Sequence, residues 1–165
     1  MCPIRQEVKT LSLFFILSVL VTSMGGCSTA RDVTSNPGTR TDFVAYQTYR
    51  LRKAVFLFKY NKKDPKEIPM LAELGFGGTS KNLADFSREA PTAPQVAGLL
   101  MPGEQVRVTK FIEDKSPTMG TYFEVLATVV SGEKYGTVVK LNLISKERHP
   151  THQAFVDPEY LEPVK

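Results

Sequence analysis

Three consecutive stretches decide the fold: Glu104-Gln105-Val106-Arg107-Val108-Thr109-Lys110-Phe111-Ile112, then Tyr122-Phe123-Glu124-Val125-Leu126-Ala127-Thr128-Val129-Val130, then Thr137-Val138-Val139-Lys140-Leu141-Asn142-Leu143. In the first, Val106, Val108, Lys110 and Ile112 share one parity and Arg107, Thr109 and Phe111 the other, the two-residue alternation of a half-buried strand. Val125, Ala127 and Val129 fall together in the second, and Thr137, Val139, Leu141 and Leu143 in the third. Ser131-Gly132-Glu133-Lys134 separates the last two as a glycine-containing hairpin turn. Short strands joined this tightly predict an antiparallel meander.

Upstream, Tyr46 to Tyr60 is rich in aromatic and branched residues and reads as another strand, covered on both faces at Ala54 to Phe58. Asn61 to Pro69 holds Asn, Asp, two prolines and several charges, and reads as a loop. Met70 to Pro94 is expected to be a long, partly ordered excursion, with a helical turn at Leu71-Ala72-Glu73-Leu74, a flexible turn at Gly75-Phe76-Gly77-Gly78 and another turn at Leu83-Ala84-Asp85-Phe86. Residues 61–98 together form the one long loop of the domain, the kind of segment in which binding sites concentrate. Downstream, Phe155-Val156 reads as a short strand, Asp157-Pro158-Glu159-Tyr160 as a turn, and Leu161 to Val164 as a last strand kept at an edge by Pro163. The expected fold class is all-β: a small antiparallel barrel of about five strands over 45–165.

Ser28 to Thr41 carries Ser, Thr, Gly, Pro and Asn and almost no large apolar residue, so by composition it cannot bury enough surface to order itself. Residues 27–44 therefore read as a flexible tether. Before it, Arg5 and Lys9 precede the apolar run Leu11 to Val21, the order of a secretory signal. That run is shorter than the roughly 20 residues of a stable membrane-crossing helix, which favours cleavage. Met24-Gly25-Gly26-Cys27 then resembles the lipobox of bacterial lipoproteins, with Met24 where that family usually has Leu. The resemblance implies that residues 1–26 are removed, that the Cys27 thiol accepts diacylglycerol, and that the new amine is acylated. Two or three chains, at about 0.8 kcal/mol per buried methylene, anchor a protein stably. By the sorting pattern of enterobacterial lipoproteins, Ser28 in place of Asp directs the protein to the outer membrane, facing the periplasm. The competing reading is an ordinary signal peptide cut near Ala30, with Cys27 incidental.

The carboxy-terminal two-thirds resembles the bacterial Src-homology-3-like (SH3-like) barrels. Leu99-Leu100-Met101-Pro102-Gly103-Glu104-Gln105-Val106-Arg107-Val108 is similar to their diverging turn, and Pro158-Glu159-Tyr160-Leu161 to the helical turn before their final strand. Proline-peptide binders of that fold use a groove tryptophan, and this chain has no Trp. The resemblance therefore implies a cell-wall polymer such as peptidoglycan, or an envelope protein, as partner.

The chain carries a formal charge of +4. Loss of Arg5, Lys9 and Glu7 with the signal removes two positive charges and one negative, leaving +3. Its basic residues are interspersed with carboxylates, so nucleic acid is not an expected partner. Cys2 and Cys27 are the only cysteines, so the domain can build neither a disulfide nor a thiolate metal site, and no cofactor is expected. No Gly-x-Ser-x-Gly elbow or phosphate loop is present, and an enzyme is not expected. The alternative is a cell-wall hydrolase or metal-dependent enzyme using His149 and His152, the two histidines, although Pro150 between them opposes a helical zinc motif. The candidate binding surface is Tyr49, Arg50, Arg52, Tyr122 and Tyr160: aromatic faces beside a basic strand edge.

Overall fold

The computed structural model describes residues 30–116, 120–146 and 153–165. Nine strands form one mixed sheet among these residues: β1 (Arg31–Asp32), β2 (Thr48–Leu51), β3 (Val55–Phe58), β4 (Met70–Glu73), β5 (Val96–Leu100), β6 (Gln105–Ser116), β7 (Gly120–Val129), β8 (Val138–Lys140) and β9 (Leu161–Pro163). A single α-helix, α1 (Leu83–Glu89), accompanies them, with short 3-10 turns at Gly38–Arg40, Phe76–Gly78 and Asn142–Ile144. The sheet runs β5-β3-β4-β8-β7-β6-β2-β9, and β1 pairs with β6. Between the named strands all pairings are antiparallel except the β4–β8 contact, Met70 with Lys140; an isolated bridge between Thr41 and Ala154 is also parallel. The all-β expectation and the β6-β7-β8 meander hold.

The expected closed barrel does not form, because the sheet is open, ending at β5 and β9. The segment 61–98, expected to be one long loop, instead contains β4, α1 and the start of β5, and with β3 these strands extend the sheet. At the other end β9 lies outermost with Pro163, which has no N–H to offer a further strand.

The run from Tyr46 to Tyr60 is two strands, divided at Arg52-Lys53-Ala54 because each half has different neighbours. β2 lies between β6 and β9, whereas β3 lies between β4 and β5. Every residue of β3 is buried, since its two faces serve two apolar clusters. Val55 and Leu57 enter the main core with Leu71, Leu100, Val106, Phe111 and Phe123. Phe56 and Phe58 enter a smaller cluster completed by Phe86 of α1. The helical turn expected at Leu71–Leu74 is strand β4, since Leu71 and Ala72 lie opposite Leu57 and Phe56. Conversely, Leu83–Phe86 is the start of a helix, with the Asn82 side chain accepting the Ala84 N–H at 2.9 Å and the Asp85 N–H at 3.4 Å. Its buried residue, Phe86, packs tilted on Phe56 with ring centroids 5.0 Å apart.

Strict alternation fails within β6. Val108 faces Ala127 and Lys110 faces Leu126, so Thr109 is an extra residue in a β-bulge. The side-chain sets exchange faces there. Phe111 turns into the core opposite Val125 and stacks on Phe123, with centroids 5.7 Å apart, while Lys110 and Ile112 turn outward from it.

The reading of 27–44 as a free tether is corrected for its described part. Arg31 and Asp32 pair with Glu113 and Ile112, the Val33 N–H donates to the Phe111 carbonyl at 2.9 Å, and the Phe111 N–H donates to Thr34 Oγ1 at 3.0 Å. Phe43 is 3% exposed and packs edge-on to Tyr49. Backbone pairing supplies the order that composition lacked: β2 covers only the first part of the long β6 edge, and β1 pairs further along it, with Ile112 and Glu113. Cys27, His149 and His152 lie outside the described residues.

Candidate functional site

The five residues expected to form a binding surface are not brought together. Tyr49 is 2% exposed, and its hydroxyl accepts the Val44 N–H at 3.1 Å; burial pushes its phenol above the ordinary value. Tyr160 is also buried, with its hydroxyl donating to the Glu73 carboxylate and the Lys53 ammonium 5.2 Å from its ring centroid. Both tyrosines belong to the core, because strand alternation and the return of β9 beside β2 turn them inward. Arg50 and Arg52 remain exposed on that edge but share Glu162, at 3.2 and 2.9 Å. Lys53 pairs with Glu159. This edge is an ion-paired seam between β2 and β9.

Arg50 and Arg52 line an open surface cleft of about 540 Å³ with Glu162, Pro163, Val164 and Lys165, whereas Tyr122 lies in a separate groove. The groove has a cavity volume of about 460 Å³ and runs between the 60–70 segment and the β7–β8 pair. Tyr60, Ile68, Met70, Tyr122 and Leu143 give it apolar and aromatic walls. Each wall has a local cause. Tyr60 leaves β3 edge-on to Phe58, with centroids 5.0 Å apart, and is 72% exposed. The Glu67 carboxylate folds the following loop back by accepting the N–H groups of Tyr60 and Asn61, at 2.6 and 2.8 Å. Opposite, the Tyr122 hydroxyl donates to Asp114 Oδ2 at 2.6 Å. That hydrogen bond, helped by burial, raises the phenol well above its ordinary value, so it stays a neutral donor.

The groove floor is fixed by Asn142, which is buried on the 3-10 turn after β8. Its amide donates to the Phe123 carbonyl at 2.7 Å and accepts the Val125 N–H at 3.2 Å. Lys140 of β8 and Glu124 of β7 form an ion pair across the floor. The carboxylates of Glu67 and Glu124 are thus engaged in holding the walls. Such a site offers aromatic faces and a fixed polar floor, which suit binding by contact and hydrogen bonding.

Tyr60 is the groove residue that sequence reasoning passed over. Its signal was present: an aromatic residue placed where a fully apolar strand gives way to the charged loop Asn61 to Pro69. A second, smaller cavity of about 250 Å³ lies under α1, walled by Phe56, Phe58, Phe86 and Val96. Among the described residues no group of three or more His, Cys, Asp or Glu side chains converges as a metal site, and no helix is long and apolar enough to cross a membrane. Comparison of the chain with protein-family models, with curated proteins and with solved structures finds no match.

Proposed function

We propose that the chain is a bacterial envelope lipoprotein, held by acyl chains on Cys27 in the outer membrane and facing the periplasm. Its sheet domain is a non-catalytic binding or scaffolding module, and the groove between Tyr60 and Tyr122 receives a cell-wall polymer or an envelope protein. The observation that carries this reading is Met24-Gly25-Gly26-Cys27 placed directly after an apolar signal run and just before the first strand at Arg31. The groove supports binding over turnover, because Glu67, Glu124, Lys140 and Tyr122 are each held by a partner in the fold.

The SH3-like reading is retained for the five-strand unit β9-β2-β6-β7-β8. It is supported by the return of the last strand beside the first and by the Asp157–Tyr160 turn, where the Tyr160 and Leu161 N–H groups donate to the Asp157 carbonyl at 3.0 and 2.9 Å just before β9. On this reading β3, β4, α1 and β5 form a long insertion between the first and second strands of the unit.

Mass spectrometry of the mature protein from its host tests the anchor; the expected mass is that of a chain beginning at Cys27 with acyl groups added. Crosslinked capture from the envelope and sedimentation with peptidoglycan test the module. Either should retain the wild type and lose Tyr60→Ala, a change at an exposed ring that leaves the core intact. Empty captures in both, together with turnover of a cell-wall substrate abolished by His149→Ala and His152→Ala, would replace the module with an enzyme.

A further inference from the structure

The anchor residue and the sheet are joined by very little chain. From Cys27 to Arg31 there are four Cα steps, which span at most about 14 Å whatever their conformation. Arg31 is fixed opposite Glu113, which faces Phe123 of β7 across the sheet. Because β1 runs antiparallel to β6, the chain preceding Arg31 leaves toward the end of the β6–β7 pair marked by Lys115 and Thr121. That end is two residues beyond Glu113, about 7 Å along the strand. The opposite end of β7, at Val129, is six residues beyond Phe123 in the other direction, about 20 Å away and outside the reach of the link.

Resting on the lipoprotein reading, we infer that the bilayer carrying the acyl chains is also the surface against which the Lys115–Thr121 end of the sheet is held. The short link sets the orientation: β6 and β7 stand with Lys115, Thr121 and Arg31 at the headgroups and the Ser131–Gly136 turn outward. Charges of both signs meet at this end, with Arg31 and Lys115 exposed, Arg40 engaged by Glu113 between them, and Asp114 accepting the hydrogen bond of the Tyr122 hydroxyl, so the orientation follows from the length of the link and not from charge. The Tyr122 wall of the groove lies one residue from the level of Arg31, so the site opens in the membrane-proximal half of the sheet.

The mature lipidated protein contains no cysteine beyond Cys27, whose sulfur is blocked in the thioether. Lys115→Cys and Tyr135→Cys, both at exposed positions, therefore each accept one fluorophore. In phosphatidylethanolamine and phosphatidylglycerol vesicles doped with a nitroxide-headgroup lipid, quenching is expected to be several-fold greater at position 115 than at 135. Thr121→Cys supplies a second near-end probe should the first variant not fold. Inserting about ten Gly and Ser residues after Ser28, which adds roughly 30 Å of reach, should bring the two sites toward equality. Equal quenching in the uninserted protein, with acyl chains on Cys27 confirmed by mass, would overturn the orientation and leave the lipoprotein reading standing. A ratio unchanged by the insertion would also overturn it, and an unmodified Cys27 sulfur would remove both readings.

Discussion

Replacing Phe111 with Ala tests the bulge at Thr109, on which the composition of the core depends. Uninterrupted alternation from Val106 puts Ile112 inside and Phe111 outside; the structure does the reverse, with Phe111 1% exposed and stacked on Phe123. Truncating a fully buried Phe costs about 3 to 5 kcal/mol, through lost transfer energy and the residual cavity. Ile112, which is only half-buried, should cost about 1 kcal/mol on truncation to Ala. For a folded region of this size each kcal/mol lowers the melting temperature by about 3 to 4 °C, so Phe111→Ala should melt roughly 9 to 20 °C below wild type. Ile112→Ala should fall only about 3 to 4 °C below it. Urea denaturation followed by far-ultraviolet circular dichroism, with a thermal scan beside it, measures both. A larger loss for Ile112→Ala than for Phe111→Ala would refute the bulge and the face exchange derived from it.

Asn142→Ala leaves the Phe123 carbonyl and the Val125 N–H unsatisfied in the core, and should cost about 1 to 3 kcal/mol in the same urea experiment. Glu113 is held below its ordinary pKa, chiefly by its hydrogen bond from Arg40, with Lys115 and Arg31 adding attraction. Its contribution is therefore present above the ordinary carboxylate range and lost as pH falls through the depressed value, so Glu113→Gln should flatten that acid limb of the stability profile without changing its shape near neutrality. Asn82→Ala removes the cap of α1 and should raise the exchange of the Phe86 and Ala90 amides, with a local cost of about 1 kcal/mol measured by hydrogen exchange. Tyr60→Ala should abolish partner capture while the melting temperature moves by no more than a few degrees, since a surface substitution of this kind typically falls within about 0.5 kcal/mol.

Elements whose physics is local are legible in residue order. The alternation of Val125, Ala127 and Val129 and the glycine turn at 131–134 define the β6-β7-β8 meander. Pro163 marks an edge strand, and the unbroken apolar run Val55 to Phe58 marks a strand buried on both faces. The proposed signal run and the resemblance of Met24-Gly25-Gly26-Cys27 to a lipobox likewise rest on residue order alone. Tertiary structure decided the rest, because those features depend on which backbone lies alongside. Leu71–Glu73 has the composition of a helical turn but becomes β4 because β3 offers it an edge, and Arg31–Asp32 has the composition of a linker but is ordered by the part of β6 that β2 does not cover. The bulge at Thr109 has no signature in composition, yet it decides that Phe111 enters the core. The groove joins Tyr60 to Tyr122, residues distant in the chain whose meeting follows from the lateral order β4-β8-β7, a long-range pairing that no local pattern encodes.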